Sequence, residues 1–384
     1  MARAVTGWRI PFNKATLAGD ELALIRQAVE RGHISGDGPF TRRCEEVLTE
    51  VVGAERALLT TSCTHALELA ALLLEVGPGE EVVVPAFTFV STAAAFALRG
   101  ARPVFVDVRP DTFNLDERAL ADAVTERTRA IVPVHYGGVG CGMDEILAAA
   151  ERVGAAVVED NAHGLFGAYR GRPLGSFGAL ATQSFHETKN VTCGEGGALI
   201  VNDARYVDEA EVLREKGTNR KQFFRGQVDK YTWIALGSSY VQSDLLAAFL
   251  VAQLEARDRI QAARRRIWET YERGLADWAV EHGVRLPVVP AECEQAYHLF
   301  AVLLPSLDAR ARLIEHLRAR GILAVFHYLP LHLSTMGRRY GGREGQCPVT
   351  EDVADRLLRL PFYTGLLESE QAEVIEAVSD FDAF

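Results

Sequence analysis

The feature that most constrains the fold of this chain is an alternation of short apolar runs with amphipathic stretches between residues 56 and 201. This alternation is typical of βαβ units, in which helices connect parallel strands. We therefore predict an α/β fold with a large domain built on a mostly parallel sheet. The seven predicted strands are Arg56–Thr61, Glu81–Ala86, Pro103–Val108, Arg129–His135, Ala155–Asp160, Leu180–Phe185 and Gly197–Asn202. Predicted helices between them include Thr64–Leu74, Ser91–Leu98, Asp116–Val124 and Asp144–Val153.

A different pattern begins near residue 244. Apolar residues recur at helical spacing from Leu245 to Leu254, so residues 244–281 are predicted to form one long helix or two helices in line. Such a helix can connect two domains, and we predict a large domain over residues 1–245 and a smaller C-terminal α+β domain over 246–384. The elements predicted in the smaller domain are strands Leu299–Leu304 and Ile322–His327 and helices Leu307–Arg320, Thr350–Leu360 and Glu368–Ser379.

Composition excludes several classes of partner. A net charge of −11 and a pI near 5.5 argue against general affinity for nucleic acid or anionic membranes, which requires clustered Lys and Arg. The six cysteines include no Cys-x-x-Cys pair and are interpreted as reduced thiols. The first residues lack the apolar run of a signal peptide, and no stretch has the ~20 apolar residues of a membrane span, so we expect a cytoplasmic protein.

Chemically useful side chains follow three of the predicted strands. Ser62 and Thr64 precede a helix whose free N–H groups can bind a phosphate, although the same residues also make an ordinary helix cap. Asp160 can keep a pyridine nitrogen protonated, although an acid there can equally cap a loop. Lys189 can form a Schiff base if it is partly desolvated, although most loop lysines are solvated. Since carboxyl ends of parallel strands meet at one sheet edge, the three together predict a pyridoxal phosphate enzyme.

Further side chains fit the same cofactor or its substrate. His163 lies three residues beyond the acid and could reach the phenolic oxygen of the cofactor. Phe89 follows another strand end, where it could stack on a planar ring, whereas Phe87 is more easily explained by core packing. Basic residues interleaved with aromatic ones between 214 and 233 fit a bound pyrophosphate and base, or simply a solvated surface. The basic residues in this region are Arg214, Lys216, Arg220, Lys221, Arg225 and Lys230.

Two other motifs imitate known sites. His186-Glu187-Thr188-Lys189-Asn190 begins like a His-Glu-x-x-His zinc motif, but Asn190 stands where the second histidine is required, so no metal site is predicted. Residues 138–143 imitate a dinucleotide fingerprint, but Met143 occupies the third glycine position and Pro133 interrupts the preceding strand. We interpret this segment as a loop. A nicotinamide oxidoreductase built on it is an alternative that would not need Lys189.

In their order along the chain, these candidate residues resemble those of the DegT/DnrJ/StrS family of pyridoxal phosphate-dependent sugar-nucleotide aminotransferases, and the resemblance covers nearly the whole chain. The similarity is greatest to enzymes that aminate C4 of dTDP-4-oxo-6-deoxy-D-glucose. It is carried by Ser184-Phe185-His186-Glu187-Thr188-Lys189-Asn190, Arg214-Glu215-Lys216-Gly217-Thr218-Asn219-Arg220 and residues 223–233. The dehydratase branch has His where this chain has Lys189. The resemblance implies the type I (aspartate aminotransferase-like) fold and pyridoxal 5′-phosphate as cofactor.

The resemblance also implies roles for individual residues. Lys189 and Asp160 are the implied catalytic pair, the lysine holding the cofactor through a Schiff base and the acid pairing with the pyridine nitrogen. A residue of the other subunit usually completes the phosphate site, and here Ser239 replaces the usual Asn of that position. The other implied cofactor contacts are Cys63, Thr64, Phe89, His163 and Ser184, and the expected substrate contacts are Lys216, Arg220, Arg225, Tyr328 and His332.

The activity implied is amino transfer from L-glutamate to dTDP-4-oxo-6-deoxy-D-glucose by a homodimer with shared active sites. The products would be 2-oxoglutarate and dTDP-4-amino-4,6-dideoxy-D-glucose, a nucleotide sugar for glycosylated natural products such as antibiotics. The galacto epimer and amination at C3 of a 3-oxo sugar stay open, because the C3-aminating branch shares the core residues. A pyridoxal phosphate-binding regulator without turnover is the alternative from a different functional class.

Overall fold

The computed structural model describes residues 7–382, and the strands within them agree closely with the seven predicted ones. A large sheet is formed by β1–β5, β8 and β9, while the remaining strands are short. In chain order the strands are β1 Arg56–Thr60, β2 Glu81–Pro85, β3 Arg102–Val106, β4 Thr128–Ile131, β5 Ala156–Asp160, β6 Ala168–Tyr169, β7 Arg172–Pro173, β8 Leu180–Ser184, β9 Gly197–Val201, β10 Cys293–Glu294, β11 Ala301–Leu303, β12 Val325–Phe326 and β13 Leu357–Arg359.

The large sheet has the strand order β1-β9-β8-β5-β4-β2-β3. Strands β3, β2, β4, β5 and β8 pair in parallel, and β9 runs antiparallel to both of its neighbours, β8 and β1. The prediction of a mostly parallel seven-stranded sheet is therefore confirmed. Because all strands except β9 point the same way, the segments after β1, β2, β4, β5 and β8 all emerge at one edge.

Helices cover the sheet and form the rest of the chain. In chain order they are α1 Glu21–Glu30, α2 Pro39–Val52, α3 Cys63–Leu73, α4 Ser91–Ala97, α5 Leu120–Ala123, α6 Met143–Val153, α7 Val207–Arg214, α8 Arg220–Phe224, α9 Asp244–Glu255, α10 Arg257–Glu281, α11 Leu307–Ala319, α12 Thr335–Arg339, α13 Pro348–Arg356 and α14 Glu368–Ser379. The apolar faces of α3 and α4 pack on one side of the sheet, while α1, α2 and α9 pack on the other. The glycine-rich residues 138–142, which imitate a dinucleotide fingerprint, lie in the loop before α6.

The predicted long helix is two consecutive helices, α9 and α10, which meet at Ala256. Beyond them, β11, β13 and β12 form a small antiparallel sheet, which packs with α10, α11 and α14 around a core of its own. These elements fit the expected smaller α+β domain, and a boundary near residue 245 stays a prediction. Among residues 7–382, none of the helices has the length and apolar character that crossing a bilayer requires.

Two sequence predictions are wrong in detail. The segment Thr350–Leu360 is not helical to its end, because α13 stops at Arg356 and the next three residues form β13. In that strand Leu357 packs beside Phe87 in one core and Leu358 packs in the C-terminal core, so burial on two opposite faces outweighs helical propensity. The predicted helix Asp116–Val124 is a 3₁₀ turn followed by the single turn of α5.

Candidate active site

A cavity of about 620 Å³ lies at the sheet edge where the parallel strands end. It is bounded by the segments that follow β1, β2, β5 and β8 and by residues of the C-terminal core. Eight of the predicted site residues line it: Cys63, Thr64, Phe89, Asp160, His163, Ser184, Lys189 and Tyr328. The structure thus brings together groups that are up to 265 positions apart in the chain, from Cys63 to Tyr328.

Lys189 lies in a tight turn after β8, where its backbone N–H donates to the carbonyl of His186 at 2.9 Å. Its side chain keeps partial access to the cavity, while protein atoms surround the amine elsewhere. Burial lowers the pKa of the Lys189 amine to about 8, against the opposing influence of Cys63 and Asp160. An amine with such a pKa is neutral in about a tenth of the molecules at pH 7, far more than an ordinary lysine, and a nucleophile must be neutral.

Asp160 ends β5 and is almost fully buried. One carboxylate oxygen accepts a hydrogen bond from the Thr92 hydroxyl at 2.7 Å, and the other accepts from the backbone N–H of Ala162 at 3.2 Å. Burial raises the pKa of Asp160, and these hydrogen bonds and Lys189 oppose the rise. A desolvated carboxylate held in this way would be stabilised by a cation in the cavity beside it.

His163 is held in a stack of three imidazoles. Its ring lies 4.1 Å from that of His298 and 6.1 Å from that of His327. The Nδ1 atom accepts a hydrogen bond from the backbone N–H of Gly137 at 3.3 Å, so neutral His163 carries its proton on Nε2. Burial lowers the pKa of His163 well below its usual value, and Lys189 and Arg359 lower it further. His163 is therefore an uncharged hydrogen-bond donor.

The start of α3 forms the polar end of the cavity. The Ser62 hydroxyl caps the helix by accepting from the N–H of His65 at 3.1 Å, and the Thr64 hydroxyl bonds to that of Ser91 at 2.7 Å. Burial raises the pKa of the Cys63 thiol to about 12, so this side chain stays neutral. Free backbone N–H groups, neutral hydroxyls and the positive end of the helix dipole are suited to a phosphate.

A glycine makes this arrangement possible. Strand β9 starts at Gly197, directly against the turn between β1 and α3. A Cβ atom at this position would lie 2.6 Å from the carbonyl oxygen of Ser62 and would also overlap the peptide that enters α3. Only glycine therefore lets β9 approach the phosphate end so closely.

Aromatic side chains form the wall after β2. Phe87 is buried and packs edge-on against Phe113, Tyr136 and Tyr328, as core packing predicts. Phe89 is 56% exposed and lines the cavity, with its ring 6.4 Å from that of Tyr328. Phe89 thus has an open face on which a planar ring could stack.

Five predicted contacts do not line this chain's cavity. Lys216, Arg220 and Arg225 are exposed and pair with acids of their own region: the first two with Glu215, and Arg225 with Glu211. Ser239 is also exposed, in a backbone bridge with Glu215.

His332 is fully buried, its Nε2 donates to the Glu351 carboxylate at 2.9 Å, and it lies outside the cavity lining, so we do not retain it as a substrate contact.

Arg214 and Lys221, from the same basic region, have a structural role that the sequence interpretation missed. The Arg214 guanidinium is fully buried and pairs with Glu45 at 2.5 Å and with Asp37. Lys221 lies 3.7 Å from Asp37 and 3.8 Å from Glu211. These charges join α2, α7 and α8, and are neither a solvated surface nor a free anion site.

Sequence reasoning also missed four groups that line the cavity. Thr92 supports Asp160, His298 and His327 stack beside His163, and Arg359 comes from the last residue of β13. Thr92 lies within α4, and its sequence position indicates only an ordinary helix residue. The other three come from the C-terminal third of the chain, where the only signal was the resemblance of residues 327–332, His-Tyr-Leu-Pro-Leu-His, to a segment near the sugar or nucleotide in relatives.

The donor groups of this cavity fit pyridoxal 5′-phosphate. An amine with a lowered pKa, a desolvated carboxylate, a neutral imidazole donor and an anion-binding helix start all face one space. These are the groups required by the aldehyde, the pyridine nitrogen, the phenolic oxygen and the phosphate of that cofactor.

Solved structures of similar fold support the same conclusion. The PMP-form of Spr1654 from Streptococcus pneumoniae is 28% identical, with a TM-score of 0.90 over 97% of this chain and 98% of that chain. DesV of S. venezuelae, solved with a ketimine intermediate, is 32% identical, with a TM-score of 0.86 over 94% of this chain and 95% of that chain. The fold and the site define this chain as a pyridoxal phosphate-dependent aminotransferase of fold type I.

The sequence comparison is more specific. Spore coat polysaccharide biosynthesis protein SpsC of Bacillus subtilis is 33% identical over 379 residues, which cover 97% of this chain and 96% of the relative. The model of the DegT/DnrJ/EryC1/StrS aminotransferase family matches residues 16–379. The chain belongs to that family, and the nicotinamide oxidoreductase alternative is wrong.

Proposed function

We propose that this protein transfers the amino group of L-glutamate to C4 of dTDP-4-oxo-6-deoxy-D-glucose, giving dTDP-4-amino-4,6-dideoxy-D-glucose and 2-oxoglutarate. The observation that carries amino transfer is the placement of Lys189 and Asp160 in one cavity with an anion-binding helix start. The choice of a C4-oxo sugar nucleotide rests on the resemblance of residues 184–190 and 214–233 to enzymes with that activity.

The cofactor, when bound, supplies an aldehyde that accepts the amino group and a ring that withdraws electrons from the carbon bearing it. Asp160 contributes a negative charge that keeps the ring nitrogen protonated, and Thr92 and Ala162 fix the direction of its carboxylate. His163 offers the Nε2 proton to the phenolic oxygen. Ser62, Thr64 and the start of α3 hold the phosphate.

Lys189 moves the proton in both half-reactions. Its Nζ takes a proton from Cα of the glutamate donor and, in the second half-reaction, delivers a proton to C4 of the sugar. A pKa of about 8 suits both directions, since the amine is close to half protonated at slightly alkaline pH. The face of the sugar that meets Lys189 decides whether the new amine is equatorial or axial. We propose the equatorial (gluco) product, with the galacto product or C3 amination as alternatives.

The sugar nucleotide needs contacts that one chain alone does not provide. Tyr328 lines the cavity, and we propose that it contacts the sugar ring. Lys216, Arg220 and Arg225 lie on the exposed segment between α7 and α9, and we propose that this segment reaches the active site of a second copy in a homodimer. There its basic side chains would meet the pyrophosphate.

The test uses purified protein, pyridoxal phosphate, L-glutamate and dTDP-4-oxo-6-deoxy-D-glucose. We expect an amino sugar nucleotide, identified by mass, whose NMR couplings at H4 show an equatorial amine. Large couplings to both neighbours indicate the gluco product, and small ones would contradict it. Lys189→Ala should lose about 10³-fold or more of the rate. Bound cofactor without conversion to the amine form in glutamate would instead support a non-catalytic regulator.

A further inference from the structure

A buried ionic cluster lies at the base of the exposed segment between α7 and α9. Its centre is the Arg214 guanidinium, which is fully buried and pairs with Glu45 at 2.5 Å and with Asp37. Lys221, on α8, lies 3.7 Å from Asp37 and 3.8 Å from Glu211. Burial by itself raises the pKa of Asp37, but Arg214 and Lys221 outweigh that effect and lower it below its usual value. Asp37 is therefore charged at neutral pH and can pair with both cations.

Both ends of the exposed segment meet beside this cluster. The chain leaves α7 at Arg214 and returns at Tyr240, whose backbone N–H donates to the carbonyl of Arg214 at 3.2 Å. One step further out, the N–H of Lys216 donates to the carbonyl of Ser238 at 2.9 Å. The carbonyl of Tyr240 accepts from the N–H of Thr61, in the turn before α3, at 3.0 Å. The base of the segment is thus bonded to the backbone of Arg214 and to the turn that leads to the phosphate end of the cavity.

Within one chain, the exposed segment has little apolar support. Among the described residues, none between 216 and 234 belongs to a buried apolar core. Phe224 and Trp233 are both 69% exposed, and the ring of Phe223 contacts only rings of the same segment, those of Phe224 and Tyr231. A segment with so little burial needs directional contacts to keep one conformation. Buried ion pairs of a planar guanidinium are contacts of this kind.

Lys221 differs from the basic residues next to it. Its side chain is 20% exposed, whereas those of Arg220 and Arg225 are 49% and 44% exposed. Arg225 also pairs with Glu211, at 2.6 Å, but this carboxylate keeps Lys221 and Arg56 as partners if Arg225 moves away. The inward cation can therefore fix α8 while the outward ones stay free to meet a pyrophosphate.

We propose that Lys221, through Asp37 and Glu211, is a positioning residue for the nucleotide sugar, because it anchors the exposed segment in the orientation that the active site of a second copy requires. Lys221 itself touches neither substrate nor cofactor. This assignment rests on the proposed function in requiring a nucleotide sugar and a homodimer with shared sites. It adds that the ionic cluster of one subunit sets the substrate affinity of the other.

The two half-reactions distinguish a positioning role from a general structural one. Holoenzyme is mixed with L-glutamate, its amine form is then mixed with dTDP-4-oxo-6-deoxy-D-glucose, and the cofactor absorbance is followed in each step. Lys221→Met should raise the KM for the nucleotide sugar by about 10- to 30-fold, with kcat within about threefold of wild type and the glutamate step unchanged. Lys221→Arg keeps the charge and should restore most of the affinity. A loss of kcat in both steps would overturn the proposal.

A second variant and a control accompany this measurement. Asp37→Asn removes the partner charge at a position whose φ of 60° Asn tolerates, and should reproduce the rise in KM. Arg318→Met, which breaks the exposed pair with Glu315 on α11, is the matched control and should behave as wild type. The unfolding midpoint shows whether each variant is folded. A wild-type KM in folded Lys221→Met or folded Asp37→Asn would count against the anchor.

Mixed dimers show which active site the anchor serves. A dimer of one Lys221→Met subunit and one Lys189→Ala subunit, isolated through two different affinity tags, has a single site with a reactive lysine. That lysine belongs to the Lys221→Met subunit, whereas the segment that reaches it belongs to the Lys189→Ala subunit and is correctly anchored. The surviving site should therefore have the wild-type KM. A KM as high as in the Lys221→Met homodimer would show that the anchor acts on its own chain, contrary to the proposal.

Hydrogen exchange separates failure of the anchor from failure of the proposed function. In holoenzyme without nucleotide sugar, the amides of residues 216–234 should exchange about tenfold faster in Lys221→Met than in wild type, and those of α3 and β8 at the same rate. If wild type aminates no nucleotide sugar, the proposed acceptor is wrong, but faster exchange confined to this segment still supports the anchor. Equal exchange in the two proteins would refute it.

Discussion

Burial acts in opposite senses on the two central residues. It lowers the pKa of Lys189 to about 8 and raises the pKa of Asp160, so each is pushed towards its neutral form. A neutral Lys189 is ready to attack the cofactor aldehyde. A carboxylate that is costly to keep charged alone is stabilised by a pyridinium beside it, so the site favours the protonated form of the cofactor ring.

This balance predicts how cofactor loading depends on pH. For a base, a lowered pKa means that the proton is lost at a lower pH, so neutral Lys189 predominates above about pH 8. The loading rate of cofactor-free protein should rise about tenfold per pH unit below that value and level off above it. Stopped-flow absorbance between about pH 6.5 and 10 measures this. A midpoint near the usual lysine pKa of about 10.4 would show that Lys189 is not desolvated.

The support given to Asp160 by Thr92 can be tested by one isosteric change. Thr92→Val removes the hydroxyl that donates to Asp160 at 2.7 Å, and a hydrogen bond to a charged group contributes about 1.5–3 kcal/mol. Cofactor affinity should fall by about 10- to 100-fold, because the pKa of Asp160 rises further. Thr92→Ser keeps the hydroxyl and is the control. Equal dissociation constants for both variants would refute this role.

At the scale of elements, the register of β9 against the turn before α3 determines the phosphate site. Gly197→Ala would place a methyl group 2.6 Å from Ser62 O. Relieving that overlap should cost about 1–3 kcal/mol of stability and weaken cofactor binding, because the start of α3 must move.

Denaturant unfolding and cofactor titration measure these two effects of Gly197→Ala. Gly77→Ala, where the nearest atom is 3.9 Å away, is the matched control and should change neither. A Gly197→Ala protein with wild-type affinity would show that this close approach does not matter.

The elements also show what sequence could and could not reveal. The strands of the large sheet were predictable because each is an apolar run bounded by turn residues. Strand β13 was not, since Leu357 and Leu358 extend the helical pattern of α13, and only their burial in two different cores makes them a strand. Arg359 was missed for the same reason: its place in the cavity depends on that strand.

The role of Arg214 was also not predictable from the sequence, because it depends on an ion pair with a residue that is distant in the chain. In sequence it belongs to a basic run, and only the fold brings it to Glu45, 169 positions earlier. By contrast, Lys189 and Asp160 were predictable because Asp160 ends one strand and Lys189 lies in the turn after the neighbouring strand, and these strands share an edge as a consequence of parallel topology. The cavity contacts contributed by the C-terminal third had no comparable rule.

At the scale of the whole molecule, the exposed segment between α7 and α9 carries large apolar side chains at its surface. Trp233 and Leu236 are 69% and 67% exposed, and Leu98, 74% exposed, shares a surface groove with Leu236. Large exposed apolar side chains grouped in this way are typical of protein interfaces. They support the proposed homodimer, in which Ser239 from one copy would reach the phosphate end of the other.

A dimer whose active sites are built from both subunits should regain activity when two inactive variants are mixed, whereas a dimer with separate sites should not. Lys189→Ala removes the amine of its own subunit's site, and Ser239→Glu should repel the phosphate in the partner's site. Neither homodimer should transfer amino groups efficiently, but a mixed dimer would contain one site with both defects and one intact site. After unfolding and refolding an equal mixture, half of the dimers are mixed, so about a quarter of the wild-type activity should return. If each site used only its own chain's Ser239, every site would carry one defect, and mixing would restore nothing.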